Sequence, residues 1–170
     1  MKRLLLPGAA LAASIALAAC GGGSTGPSTT SATGSTIAVK SIGGVGNVLV
    51  DSAGKALYAS DVEAGGKVMC TGACTSFWKP LTAGSSKPTA AGDVGTVGVV
   101  TRPDGSKQVT VNGKLLYTFA QDQPGKVDGN GFADAFGGRH FTWSAVLAGG
   151  GTASSSGGTT STPSRNDYGY

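Results

Sequence analysis

Charged side chains are scarce in this chain of 170 residues, at 13% of the total, and the mean hydropathy is +0.07. Such a composition excludes a charge-rich disordered protein and a basic arm that binds nucleic acid. The formal net charge is only +4, and two of the positive charges, on Lys2 and Arg3, lie at the extreme N-terminus. We therefore predict no nucleic-acid partner.

Side chains for acid–base catalysis are also few. His140 is the single histidine, and nine Asp and Glu residues are scattered along the chain. No glycine-rich phosphate loop leads from a strand into a helix, and no Ser, His and Asp set stands out. These absences predict a protein that is not an enzyme and that has no cofactor.

No apolar run is long enough to span a membrane. The longest, Leu4–Ala19, has 16 residues and is interrupted by Pro7, Gly8 and Ser14, whereas a membrane-spanning helix needs about 20. Because the run follows Lys2 and Arg3, residues 1–19 are typical of an export signal.

The end of this signal, Leu17-Ala18-Ala19-Cys20, resembles the bacterial lipobox, in which the cysteine sulfur takes a diacylglycerol. The resemblance predicts lipidation of Cys20, as in palmitate-bearing lipoproteins. Two acyl chains suffice for stable anchoring. We expect a protein held by its lipid in the cell membrane or outer membrane, facing the periplasm or the exterior. The alternative is ordinary cleavage after Ala18, which would leave a free thiol.

What is abundant is glycine, with 30 residues beside 7 prolines. Together they form roughly 22% of the chain, against about 12% in average proteins, which excludes long helical architectures. Residues 20–36 and 149–170 are rich in Gly, Ser and Thr and predict a flexible tether and a disordered tail. Residues 37–148 hold both tryptophans and all five phenylalanines, and they predict one β-rich domain.

Turn residues divide this domain into short strands, which we predict at 47–51, 56–60, 97–101, 107–111, 114–119 and 140–147. The turns contain Gly54, Asp104-Gly105 and Asn112-Gly113, the last typical of a type I′ hairpin. A short helical turn is predicted at 72–78. The predicted fold class is mainly β, a small antiparallel meander of hairpins.

Two stretches of the domain are alike. Val48–Tyr58 and Val109–Tyr117 share the string Gly-Lys-x-Leu-Tyr, about 60 residues apart. We interpret them as copies of one hairpin and predict two pseudo-repeated halves, neither of which buries its apolar face alone.

These strings, with Cys-Thr-Gly-Ala-Cys and Thr-Arg-Pro-Asp-Gly-Ser-Lys-Gln-Val-Thr, resemble the bacterial secreted-repeat lipoproteins of unknown function. That family carries a Tyr-x4-Asp motif, also written Tyr-x-aromatic-x-x-Asp. Tyr117, Phe119 and Asp122 fit it fully. In the copy that starts at Tyr58, Ser60 replaces the aromatic residue and Glu63 the aspartate. The resemblance implies an exported lipoprotein of two repeats without an established chemistry.

The motif permits two interpretations. Tyr117 and Asp122 could form a hydroxyl and carboxylate pair at a ligand site. Alternatively, Tyr117 is a core residue whose hydroxyl finds a partner, while Asp122 caps the turn before Pro124.

The remaining two cysteines, Cys70 and Cys74, predict a disulfide, because their spacing suits one and the compartment is oxidising. The alternative is a copper or redox site in which Met69 and His140 join the two sulfur atoms. Two functions follow. The first is a non-enzymatic module that binds or scaffolds an envelope protein or ligand. The second is a redox, electron-transfer or copper-handling accessory that uses Met69, Cys70, Cys74 and His140.

Overall fold

A computed structural model of the chain describes residues 37–84 and 87–154. The predicted signal, the lipid site at Cys20 and the tether lie outside the described residues, as does the C-terminal segment from residue 155. Within the described part, eleven strands and one helical turn follow one another as β1 Ile37–Ile42, β2 Gly46–Asp51, β3 Leu57–Ser60, α1 Cys74–Phe77, β4 Trp78–Pro80, β5 Ala90–Ala91, β6 Val97–Thr101, β7 Lys107–Val111, β8 Lys114–Leu115, β9 Tyr117–Phe119, β10 Ala133–Phe136 and β11 Arg139–Ala145.

The strands form three sheets, with the orders β2-β1-β5, β10-β11-β3-β9-β4 and β6-β7-β8. All pairs are antiparallel except β1 with β5. Two 3-10 turns, Asp61–Glu63 and Ala148–Gly150, complete the described structure. The predicted fold class, mainly β with antiparallel strands and one short helix, is confirmed. The interpretation of the two halves as copies of one unit stays a prediction.

The first predicted hairpin is wrong in its pairing. Its turn is present, because Gly54 has φ +79° and its N–H donates to the Asp51 carbonyl over 2.9 Å. The two strands then separate after a single bridge between Val50 and Ala56. β2 pairs instead with β1, a strand that we did not predict, and β3 enters the five-stranded sheet.

The predicted strand 114–119 is divided at Leu116. The Asn112-Gly113 turn has positive φ at both residues, +49° and +77°, as a type I′ turn requires. β8 pairs with β7 in one sheet, whereas β9 pairs with β3 and β4 in another. Leu116 lies at this corner, where its carbonyl accepts the N–H of Leu81 and its own N–H donates to the Val109 carbonyl. The meander therefore changes sheets at a buried leucine.

The C-terminal end of the domain also differs from expectation. The predicted strand 140–147 is β11, and it pairs with β10, a strand that we missed, across a turn of Gly137 and Gly138. Residues 149–154 were expected in a disordered tail, yet Gly149 donates its N–H to the Asp93 carbonyl and Ala153 to that of Ala145. The packed chain thus extends beyond the expected boundary at Ala148.

The core has two clusters, one aromatic and one aliphatic. Adjacent residues of the central strands contribute to both, because side chains alternate between the two faces of a strand. Tyr58 and Tyr117 belong to the aromatic cluster, whereas their neighbours Leu57 and Leu116 belong to the aliphatic one. The aromatic cluster contains the chemically distinctive side chains of the domain.

Candidate functional site

Strand pairing brings the two motif tyrosines together. β3 and β9 are antiparallel neighbours in which Tyr58 lies directly opposite Tyr117, and both side chains are fully buried. These residues are the first positions of the two Tyr-x4-acid motifs. The acidic residues that follow them, Glu63 and Asp122, are buried as well.

Each tyrosine binds the acidic residue of the other motif. The Tyr58 hydroxyl donates to Asp122 Oδ2, and the Tyr117 hydroxyl donates to Glu63 Oε1 over 3.0 Å. We call this reciprocal arrangement the tyrosine exchange. Tyr117 and Asp122, which could have formed a pair within one motif, are not hydrogen-bonded to each other, because antiparallel pairing places the opposite strand's acid beside each hydroxyl. The alternative interpretation of Tyr117, a core residue with a satisfied hydroxyl, agrees with the structure.

Asp122 also holds its own loop. Its N–H donates to the Phe119 carbonyl over 3.2 Å, and its Oδ1 accepts the N–H of Asp128 over 3.0 Å. Burial raises the pKa of the Asp122 carboxyl, and the hydrogen bond from Tyr58 opposes that rise. Asp122 therefore links the Tyr58 hydroxyl to the loop that follows β9.

Glu63 performs the same task in the first motif and adds a second. Besides the Tyr117 hydroxyl, its Oε1 accepts the N–H groups of Met69 and Cys70 over 2.6 and 2.8 Å, and the Ser60 hydroxyl donates to Oε2. The replacement of aspartate by glutamate in this motif thus preserves a buried carboxylate, which here fixes the backbone at the start of the cysteine loop.

Arg102, which precedes the Asp104-Gly105 turn, is a central residue of the site that was not predicted. Its side chain is 4% exposed and donates to the Cys70 carbonyl over 2.6 Å, to the Tyr117 hydroxyl over 3.2 Å and to the Gln108 side chain. Arg102 is linked to Glu63 through the Tyr117 hydroxyl, which accepts from the guanidinium and donates to the carboxylate. No local pattern in Arg-Pro-Asp-Gly indicates this role, because Tyr117 and Cys70 are 15 and 32 positions away.

Burial raises the pKa of both motif tyrosines above the usual range of a phenol. For Tyr58 the neighbouring Asp122 raises it further, whereas for Tyr117 the hydrogen bonds from Arg102 and Gln108 lower it. Both hydroxyls therefore stay protonated at neutral pH and act as hydrogen-bond donors to carboxylates.

Two tryptophan rings stack on each other, and each of them contacts one of the motif tyrosines. The ring centroids of Trp78 and Trp143 are 4.0 Å apart with an interplanar angle of 10°. Tyr58 meets Trp78 edge-on at 5.4 Å, and Tyr117 meets Trp143 edge-on at 5.1 Å. Both indole N–H groups donate to Asp134, to Oδ2 over 2.7 Å and to Oδ1 over 3.1 Å. One carboxylate therefore fixes both indole rings.

The packing against this stack requires glycine at position 129. A Cβ atom there would lie 2.9 Å from the Trp78 ring and 3.0 Å from that of Tyr58. The Gly129 N–H also donates to the Tyr58 hydroxyl over 3.3 Å. The backbone at Gly129 therefore packs so close to the two rings that a side chain at this position would clash with them.

On its outer side the cluster is open to solvent. Phe77 and Phe132 are large apolar residues with 45% and 41% of their surface exposed. They border a cavity of about 260 Å³ that we call the aromatic groove, whose lining residues are Phe77, Phe119, Gln121, Phe132, Asp134, Ala135 and Phe136. This surface was not predicted, because its residues belong to segments far apart in the sequence, in or next to α1, β9 and β10.

The cysteine loop carries the predicted disulfide. Cys70 and Cys74 are bonded, with their Cα atoms 5.3 Å apart, and both are buried. His140 is exposed on β11 opposite Ala135. In the disulfide neither cysteine offers the thiolate that a soft metal site requires. Across residues 37–84 and 87–154, no group of three or more His, Cys, Asp and Glu side chains is placed to hold a metal ion.

A family model matches residues 98–143. The family is described as a secreted repeat of unknown function, and this segment is similar to it. The matched segment contains Arg102, Tyr117, Asp122 and Asp134, whereas Tyr58, which completes one half of the tyrosine exchange, precedes it. The description of the family agrees with an extracellular or envelope location. No curated protein and no solved structure matches the chain. None of the helices in the described part is long and apolar enough to cross a membrane.

Proposed function

We propose that the chain is an exported envelope protein, anchored through a lipid on Cys20, whose β-domain binds a ligand without catalysing a reaction. The location is supported by the secreted repeat at 98–143 and by the sequence Leu17-Ala18-Ala19-Cys20 after a basic and apolar start. Two acyl chains provide a stable anchor. The lipid bilayer is therefore one proposed partner, and the ligand or envelope protein at the β-domain is the other.

The anchor is tested by Cys20→Ala in the natural host. We expect palmitate labelling to disappear and the protein to move from the membrane fraction to the soluble exported fraction. Ser24→Ala, four residues along the proposed tether, is the matched control and should behave as the wild type. A Cys20→Ala protein that remains in the membrane fraction after a high-salt wash would contradict lipid anchoring at this residue.

A non-enzymatic role is supported by the state of the motif residues. The two tyrosine hydroxyls and the two carboxylates of the tyrosine exchange are buried and bonded to one another. A substrate would have to displace these contacts to reach them. The motif therefore stabilises the domain, and the accessible surface has to supply the function.

The observation that carries the binding proposal is the exposure of Phe77 and Phe132 at the mouth of the aromatic groove. Exposed aromatic side chains around a concavity are typical of ligand sites. Phe77 belongs to α1 beside the disulfide, and Phe132 precedes β10, so both are carried by well-packed segments. The groove is therefore formed before a ligand arrives.

The binding proposal is tested with a panel of three probes on the purified full chain: choline, N-acetylglucosamine and benzoate. They represent organic cations, sugars and aromatic anions. Both tryptophans donate a hydrogen bond to Asp134, which lines the groove, so their fluorescence serves as the readout of binding. We expect at least one probe to change the tryptophan fluorescence saturably, and Phe132→Ser to lower the affinity for that probe.

Val99→Ala is the matched control, because Val99 is 43% exposed and lies on β6, away from the lining residues. It should leave the binding unchanged. Failure of all three probes to bind, or equal losses in Phe132→Ser and Val99→Ala, would contradict a ligand site at the aromatic groove.

A further inference from the structure

We propose that the ligand of the aromatic groove is an organic cation with a quaternary or alkylated ammonium group, an inference that rests on the proposed binding function. The groove combines phenylalanine rings with a single carboxylate, that of Asp134. This combination matches the chemistry by which proteins bind alkylated ammonium ions.

Among residues 37–84 and 87–154, no basic side chain lies within ion-pair distance of the Asp134 carboxylate. Its two oxygens accept the neutral indole N–H groups of Trp78 and Trp143, which fix the carboxylate without cancelling its charge. In residues 37–84 and 87–154 one ion pair is present, between Arg102 and Asp104, and it does not include Asp134. A cation entering the groove would therefore meet an oriented, uncompensated carboxylate.

The walls of the groove favour a weakly hydrated cation. The faces of phenyl rings carry negative quadrupole charge and attract cations, yet phenyl rings accept no conventional hydrogen bonds. A metal ion or a plain ammonium ion would lose its water and gain only the carboxylate of Asp134 and the amide of Gln121 in return. An alkylated ammonium ion gives up little hydration, and its methyl groups bury apolar surface against Phe77, Phe132 and Phe136.

The dimensions limit the ligand further. A volume of about 260 Å³ accommodates a small headgroup and excludes a large polycyclic molecule. The side chain of Gln121 also lines the groove and offers an amide for a polar group attached to the cation. Phe136 also lines a second cavity, which contains Arg139, so a ligand that extended into that cavity with a second positive charge would be disfavoured.

The test compares choline with its neutral analogue of nearly equal shape, 3,3-dimethylbutan-1-ol, on the purified full chain. Both are titrated by tryptophan fluorescence and by calorimetry. We expect choline to bind about tenfold more tightly, because only the cation is attracted by the ring faces and by the Asp134 carboxylate. Raising the salt concentration should weaken choline binding and leave the affinity for the alcohol unchanged.

Two variants separate the charge from the aromatic surface. Asp134→Asn keeps an oxygen for one indole and should abolish the preference for choline over the alcohol. Phe77→Leu keeps an apolar side chain at an exposed position, and it should weaken choline severalfold while the domain stays folded. Val99→Ala should bind choline as the wild type does.

The outcomes distinguish this inference from the proposed function. Equal affinities for choline and the alcohol, or binding of N-acetylglucosamine or benzoate without choline, would overturn the cation inference while a ligand site at the groove stands. Choline binding that weakens as the protein self-associates would also overturn it, because a second copy of the chain would then be the occupant. Absence of binding by every probe would overturn both.

Discussion

The two halves of the tyrosine exchange differ in how the buried carboxylate is stabilised. Asp122 is held by the Tyr58 hydroxyl and the Asp128 N–H, without a cation among its hydrogen-bond partners. Glu63 is held by the Tyr117 hydroxyl and two backbone N–H groups, and Arg102 donates to that same hydroxyl. The acid of one motif thus bonds only to uncharged donors, whereas the acid of the other belongs to a network that includes a guanidinium group.

The difference accounts for a glutamate in one motif and an aspartate in the other. Glu63 has to reach the backbone of Met69 and Cys70 as well as the opposite strand, which the longer side chain allows. Asp122 is placed five residues after its own tyrosine, at the same interval as Glu63, but its second partner is the nearby Asp128 N–H. A shared spacing therefore supports two different local tasks.

The largest effect is expected from Arg102→Met. This change removes the charged donor to the Cys70 carbonyl, the Gln108 side chain and the Tyr117 hydroxyl, and with it the link between the guanidinium and Glu63. Breaking a buried charged network by removing one partner costs about 3–5 kcal/mol. Urea unfolding measures the loss in the free energy of unfolding. Lys67→Met, at an exposed position beside the same loop, should change it by less than about 0.5 kcal/mol. Similar losses in both variants would mean that the charged half does not depend on Arg102.

An intermediate effect is expected from removing either hydroxyl. Tyr58→Phe and Tyr117→Phe each leave a buried carboxylate without one donor, at a cost of about 1–3 kcal/mol. The pairing itself is measured by double-mutant cycles. Tyr58→Phe should couple to Asp122→Asn by more than 0.5 kcal/mol, on the order seen for contacting residues, and only weakly to Glu63→Gln. Stronger coupling within a motif than between motifs would contradict the exchange.

The smallest effect is a pH dependence that arises from Asp122. Burial raises the Asp122 pKa in the folded protein, so the folded state holds this proton to a higher pH than the unfolded state does. Its contribution to stability is therefore present below the unfolded value of about 4 and is lost as the pH rises through the folded pKa. Asp122→Asn should remove this loss.

Urea unfolding between pH 4 and pH 7 provides the measurement. The free energy of unfolding of the wild type should decrease with pH relative to that of Asp122→Asn. A difference that is constant over this range would show that Asp122 has the same pKa in both states.

Sequence patterns predicted the local features of this domain well. Asn112-Gly113 indicated a type I′ turn, Gly54 a residue with positive φ, and the Cys70 and Cys74 spacing a disulfide, and the structure contains all three. Each depends on residues within a few positions of one another. Turn chemistry and loop closure act over that range, so a single sequence is sufficient.

The partners across the fold could not be predicted in the same way. Tyr58 and Tyr117 were both visible as motif residues, but their acids are 64 and 54 positions away. The choice of partner depends on the pairing of β3 with β9, which no spacing reveals. The aromatic groove has the same origin, since Phe77 and Phe132 become neighbours only through sheet topology. The missed β10–β11 hairpin is different, because Gly137-Gly138 between two short strands is a local signal.

The order of strands in the five-stranded sheet has a consequence for how the chain folds. β3 lies between β11 and β9, and β4 pairs with β9, so the neighbours of both early strands follow them in the chain. A chain that emerges from its N-terminal end must therefore keep Leu57–Ser60 unpaired until about sixty further residues have appeared. The five-stranded sheet therefore cannot be completed before the second half of the domain is available. We expect β3 to be incorporated late in folding, when β9 and β11 pair with it on either side.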